Sequence, residues 1–358
     1  MPSIGLLTRI RQTPLVSTLK LNWVPIRRHI GDTRVLVADP NHPNTLYLGT
    51  GPQSLGACAE IFKSTDGGAK WVRTGALPPS FVPTAIVFDQ KNTIYVSAEF
   101  GGIIKSTDAG QSWIHIESTG LPGGAKAQVW DLAVDPYDAS TLFAATPLGG
   151  AYKSMDSGMS WNRMALPLSP STIAVDPAKR STLYAVFREP GPGVFKSHDA
   201  GARWNPINNG LPQIRPYVFV SSIALNPTNT DVIYATTHDG IFKSTTAGAY
   251  WVPTSTRPQK PLQAFLLTVA GQDPLTIYAL GTDGVYITRD GARSWQRARK
   301  GTSRDSRRHT LVVSDPETVF VVQSGSPIEL ARPFKTSDSG KTWFDLSKGI
   351  SSSKVAFK

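Results

Sequence analysis

Sulfur and long apolar runs are scarce in this sequence. The 358 residues include one cysteine, Cys58, and four methionines. A single thiol excludes an intrachain disulfide and any zinc site built on clustered cysteines, and it leaves the redox compartment open. No apolar run approaches the roughly 20 residues needed to span a bilayer. Near the N-terminus, Ile4-Gly5-Leu6-Leu7 is broken at once by Arg9 and Arg11, too short for the core of a secretion signal. The default expectation is a cytoplasmic protein, with export left open. Carboxylates are outnumbered too: 26 Asp and Glu against 37 Lys and Arg leave a net charge of +11. That imbalance favours acidic partners in general and does not bear on the fold. No stretch holds a 3.6-residue apolar period over a helix-length window. Phosphate loops, metal-spaced histidines and Ser/His/Asp signatures are missing as well, so no cofactor and no metal are expected. The cations are spread among loops without a basic helix or a stacking platform, which argues against nucleic acid.

What the sequence has in abundance is repetition. A variation on S-x-D-x-G-x-x-W occurs seven times, with its tryptophans at Trp71, Trp113, Trp161, Trp204, Trp251, Trp295 and Trp343, 42 to 48 residues apart. A fixed period of that size marks a repeat architecture. Each unit carries four short apolar stretches. The first is a β-branched run ending in an Asp-Pro or similar turn, as at Val35 to Pro40, and the second an aromatic-centred strand such as Thr45-Leu46-Tyr47-Leu48. The third is Ile61-Phe62-Lys63 and its equivalents, and the fourth starts at the motif's Trp and closes near Gly-Leu-Pro, as at Gly120-Leu121-Pro122 and Gly210-Leu211-Pro212. Short β-branched and aromatic runs bounded by Gly, Pro, Asn and Asp read as strands. Four strands in each of seven units predict an all-β, seven-bladed β-propeller of antiparallel blades, whose radial closure removes exposed sheet edges. The expected organisation is an N-terminal segment over 1–30, the propeller over 31–350 and a tail over 351–358, monomeric as a whole. Leu21-Asn22-Trp23-Val24-Pro25 mimics a fourth strand, and it is expected to close the ring beside residues 333–347.

The motif falls where strand three must reverse into strand four. Gly68 and its equivalents supply a positive φ without steric cost. Asp66 accepts turn N–H groups, Ser64 adds a second tie, and Trp71 covers the hairpin and packs inside the blade. The variants agree: Thr246 replaces the Asp, Ala292 the Gly, and Thr288 and Thr336 the Ser. Over residues 33–349 the seven segments resemble the Asp-box, or bacterial neuraminidase repeat. That resemblance implies sialidase-like, xyloglucanase-like or photosystem II assembly-factor-like propellers, with the boxes at the periphery. It assigns Asp66, Asp108, Asp156, Asp199, Asp290 and Asp338 to architecture together with the seven tryptophans. A calcium loop would need several spaced oxygen ligands, and each box offers one carboxylate.

Function is then expected on the opposite face, among the loops joining strand two to three and strand four to the next blade. Arg27-Arg28-His29 precedes blade 1 and Arg307-Arg308-His309 precedes blade 7, so ring closure would bring two Arg-Arg-His triplets together, with Arg34 and Arg304 extending the patch. Guanidinium clusters suit carboxylate or phosphate. By placement they match the arginine-rich patch with which assembly-factor propellers hold a client polypeptide. A second set is Arg188, Glu189, Arg215 and Tyr217, similar to the Tyr–Glu pair and arginines of a sialidase. The sialidase Arg-Ile-Pro element has only Arg9-Ile10-Arg11 as its counterpart here. Glycoside hydrolysis would need a carboxylate pair, drawn from Glu60, Glu99, Asp131, Glu189, Asp239, Asp283 and Glu329. Trp130 beside Asp131 is a candidate stacking pair for sugar or peptide, and His238-Asp239 reads as a turn. Two functions stand: a non-catalytic propeller gripping an acidic or extended polypeptide, or a glycoside hydrolase or glycan-binding relative, with Glu189, Tyr217 and Asp131 as the catalytic candidates.

Overall fold

The computed structural model describes residues 33–51, 59–187, 191–214, 217–254, 262–271, 273–281, 284–298, 310–314, 317–324 and 331–349. Seven four-stranded antiparallel sheets follow one another along the chain, over 33–73, 83–116, 131–163, 172–206, 220–253, 264–297 and 310–345, each in simple sequential order. In blade 1 the strands are Thr33–Asp39, His42–Thr50, Ile61–Ser64 and Val72–Arg73. First strands of successive blades pack around a central channel, and blade 7 packs against blade 1. Fourth strands lie outermost and are only two or three residues long, which keeps the exposed edges short. The expected propeller is the observed one.

Second strands are the most deeply buried, because both of their faces meet neighbouring blades. Leu46, Tyr47 and Leu48, like Phe143, Ala144 and Ala145, are almost wholly removed from water. At about 1.5–3 kcal/mol for each large apolar side chain, these strands carry much of the stability. The core is divided among the seams between blades. At the closing seam Phe320, Val322 and Leu346 of blade 7 pack with Leu36, Leu46, Leu48, Phe62 and Trp71 of blade 1. Blade 7 takes all four of its strands from 310–345. Trp23 and the rest of the N-terminal segment lie outside the described residues.

The tryptophans reach further than expected: they sit at the seams, packing against the preceding blade as well as their own. Trp161 packs with Ile103 and Ile116 of blade 2 and with Leu142 and Tyr152 of its own, and Trp251 with Tyr184 of blade 4 and Phe242 of its own. The indole N–H of Trp251 donates to the Ile207 carbonyl at 2.7 Å, and that of Trp113 to Thr74 Oγ1 at 3.1 Å. A flat side chain leaving the tight hairpin has its own blade's edge on one side, so the neighbour supplies the apolar surface on the other.

A candidate binding face opposite the repeated hairpins

The seven hairpins spend their polar groups on themselves. In blade 1, Ser64 Oγ donates to Asp66 Oδ1 at 2.8 Å and accepts the Gly68 N–H at 2.8 Å, while the Lys70 N–H donates to Asp66 Oδ1 at 2.8 Å. The pattern recurs at Asp108, Asp156, Asp199, Asp290 and Asp338. In blade 5 the Thr246 hydroxyl replaces the carboxylate and accepts the Tyr250 N–H at 3.1 Å. The hydroxyl and N–H of Ser112 hold Asp108 at about 2, and those of Thr342 do the same for Asp338. Burial opposes the shift at Asp290, yet the hydroxyls of Ser294 and Thr288 still bring it to about 2. Two successive residues turn through positive φ, for example Ala109 at 57° and Gly110 at 87°. Only the second of these was anticipated.

In six blades the N–H of the first of these two residues donates to a carbonyl at or just before the start of the same blade's second strand, as Gly67 does to Asn44 at 2.9 Å. The hairpins therefore share a face with the turns between strands one and two. Loops from strand two to three and from blade to blade share the other. A lysine from strand three stitches the seams on the hairpin face. Lys196 lies over the Tyr184 ring and donates to the Ala247 carbonyl of the next blade at 3.0 Å.

On the loop face opens a cavity of about 1220 Å³ along the channel axis. Its wall is largely aliphatic, with Val37, Val87 and Val312 from first strands, and at the mouth stand Trp130, Leu168, Phe187 and Pro192. Asp131 is the one carboxylate of that wall among the described residues, and its Oδ2 accepts the Ile173 N–H of blade 4 at 3.1 Å. Arg34 pairs with Glu99 at 3.0 Å, and Arg73 with Glu60 at 3.2 Å. His238 Nε2 meets Asp239 Oδ1 at 3.2 Å, and its ring stands edge-on to Phe219. Tyr217 is exposed on an extra hairpin, Gln213–Ile214 with Tyr217–Val218, inserted between blades 4 and 5 and tied to Gly191 by the Val218 N–H at 2.9 Å. Arg27, Arg28, His29, Arg188, Glu189, Arg215, Arg304, Arg307, Arg308, His309, Asp283 and Glu329 lie outside the described residues. Among the described residues no three His, Cys, Asp or Glu converge as a metal site, and no helix is long and apolar enough to cross a membrane.

Sequence reasoning missed the extra hairpin, the cavity wall and Leu168. The one available signal for the hairpin was Tyr217, which falls outside the repeating aromatic positions.

Fold and face together define the chain as a seven-bladed β-propeller with a loop-rimmed central cavity. No family model matches the sequence, and no curated protein does. Solved structures are similar. An ancestral GH74 enzyme superposes with a TM-score of 0.66 at 18% identity, over 89% of this chain and 46% of that one. The GH74 xyloglucanase from Xanthomonas campestris gives 0.61 at 16%, over 88% and 60%. YCF48 bound to D1 peptide gives 0.56 at 13%, over 75% and 82%. The chain thus spans about half the length of the GH74 proteins it matches. At such identities the likeness establishes the fold alone.

Proposed function

We propose that this is a non-catalytic binding propeller that holds an extended, acidic polypeptide across the loop face. The observation that carries the reading is the division of the two faces. Box carboxylates and hydroxyls are consumed by turn N–H groups, whereas the other face offers an open cavity with the exposed indole of Trp130 at its mouth. Sequence adds charge to this reading. The segment from Ala298 to Thr310, joining blade 6 to blade 7, contains Arg299, Lys300, Arg304, Arg307 and Arg308 against Asp305 alone. Arg27, Arg28 and His29 precede blade 1, so an acidic chain would meet cations on the side of blades 7 and 1. YCF48, a propeller of similar fold, has been solved bound to D1 peptide, which supports a peptide-binding reading.

Fluorescence anisotropy with labelled poly-glutamate tests this. Binding is expected to weaken steeply with salt, because contacts between exposed charges are screened within about 8 Å at physiological ionic strength. Arg28→Glu with Arg308→Glu should abolish it. Binding that survives both reversals, or none at low salt, would refute the proposal. The second reading, glycoside hydrolysis or glycan binding, rests on the Trp130–Asp131 pair at the mouth. Turnover of chromogenic glycosides or sialosides, abolished by Asp131→Asn or Glu189→Gln, would establish it instead.

A further inference from the structure

Where its outermost strand reaches the loop face, blade 3 carries a cation whose partner is a backbone carbonyl and not a carboxylate. The second residue of that strand meets a polar partner in blades 1, 2 and 7. In blade 1 it is Arg73, whose Nε meets the Glu60 carboxylate at 3.2 Å. In blade 2 it is His115, with Nε2 at 2.8 Å from the Gly101 carbonyl, and in blade 7 Asp345 pairs with Arg332 at 3.7 Å. Blade 3 has Arg163. Its Nε donates to the Gly149 carbonyl at 2.6 Å, and among the described residues no carboxylate meets its exposed guanidinium.

Three large apolar side chains in the loops of blade 3 are open to water. Leu148 is 73% exposed, Leu168 54% and Trp130 45%. A methyl group added at Gly150 would sit 3.4 Å from Arg163 Nε and 3.9 Å from the Leu168 carbonyl, so the cation and the leucine flank one turn. Leu168 and Trp130 in turn share the cavity wall with Pro147 and Phe187. The loops of blade 3 therefore present a guanidinium, two exposed leucines and an indole. Exposed apolar side chains gathered on one face mark a candidate interaction site. A guanidinium without a carboxylate at its border adds a demand for an anion, preferably one that can take a forked pair of hydrogen bonds.

We propose that blade 3 anchors an extended polypeptide segment that sets an aromatic or aliphatic side chain against Trp130 and Leu168 and a carboxylate on Arg163. This names the partner of the face assigned above and rests on that assignment. An extended chain suits the strip because residues i and i+2 point the same way, about 7 Å apart. A neutral glycan would use the indole and leave the guanidinium unanswered.

The probe is a labelled nine-residue peptide alternating serine with phenylalanine and glutamate, with two controls in which lysine replaces glutamate or serine replaces phenylalanine. Anisotropy is read on the whole chain and on Trp130→Ala, Arg163→Glu and Arg28→Glu/Arg308→Glu variants, each with its melting temperature measured. The acidic aromatic peptide should bind. Trp130→Ala and Arg163→Glu should each weaken it by about tenfold or more, as expected of an anchor residue. Arg163→Glu should also come to prefer the lysine peptide, a reversal that mere unfolding cannot produce. Unchanged affinity in both blade 3 variants overturns the anchor. If binding is then lost only in the Arg28→Glu/Arg308→Glu variant, the wider reading of the face stands without it. Failure of both this peptide and poly-glutamate to bind overturns the two together, as would a neutral xylo-oligosaccharide that binds through Trp130 while no peptide does.

Discussion

At Gly210 the chain turns with φ +93° directly beneath the Trp251 carbonyl, and a Cβ there would lie 2.1 Å from that oxygen. Gly120 repeats the arrangement under Trp161, at 2.2 Å. The Gly-Leu-Pro sequence is thus more than the end of a unit, since its glycine lets one blade's exit loop approach the next blade's tryptophan. Gly210→Ala must both adopt a left-handed backbone, costing about 1–2 kcal/mol, and displace a backbone carbonyl. We expect it to cost more than about 2 kcal/mol in urea unfolding. Gly124→Ala isolates the first effect, because φ there is +54° but the nearest atom, the Glu117 carbonyl oxygen, is 3.7 Å away. Equal costs for the two would refute the steric part. Thr246 makes a complementary point. One hydroxyl in place of a carboxylate still caps the Tyr250 N–H, so at this position the fold requires an acceptor rather than a charge.

Between elements, the strand-three lysines do what the repeat sequence only hints at. Lys63, Lys153, Lys196, Lys243 and Lys335 each lie 5.3–5.8 Å from an aromatic centroid of the paired second strand. Lys196 is buried, and its bond to the Ala247 carbonyl crosses the seam between blades 4 and 5 at 3.0 Å. Lys196→Met keeps the packed stem but leaves that carbonyl unsatisfied, which should cost about 1–2 kcal/mol. Lys63→Met, where the corresponding bond is exposed and 3.4 Å long, should cost less. Thermal melts of the pair would check the order, and an equal loss would contradict it. This contrast also shows why sequence reading succeeded in part. Strand number, strand order and the hairpin position are written in local, repeated chemistry, because every unit solves the same turn. Contacts across seams are not. Asp131 looked like a candidate acid beside Trp130, yet one of its oxygens accepts the Ile173 N–H 42 positions away. Arg163 carries no sequence signal of its own; what singles it out is a guanidinium held by a carbonyl alone, where Arg73 and Asp345 pair with opposite charges.

For the molecule as a whole, closure makes stability a property of the ring. The seam that joins Leu36 and Trp71 to Phe320 and Leu346 is built like the other six, so no blade ends in an unpaired apolar face among the described residues. Six of the seven hairpins also carry the same acid-sensitive tie, and this distributes the response to pH around the molecule. In the unfolded chain these carboxylates titrate near 3.8, whereas Asp108, Asp290 and Asp338 titrate at about 2 in the ring. Asp66 and Asp199 are lowered as well, chiefly by the N–H groups of Lys70 and Arg203. Groups with depressed folded values bind fewer protons folded than unfolded, so their stabilisation is complete above about pH 4 and is lost as the pH falls toward 2. The melting temperature should therefore drop through that window in a single cooperative transition. General repulsion in an increasingly cationic protein would push the same way. The Asp108→Asn/Asp338→Asn variant separates the two causes: it should melt lower than the parent near neutral pH yet lose less between about pH 4 and 2. A double variant with the parent's slope would assign acid unfolding to net charge and remove the hairpin carboxylates from the explanation.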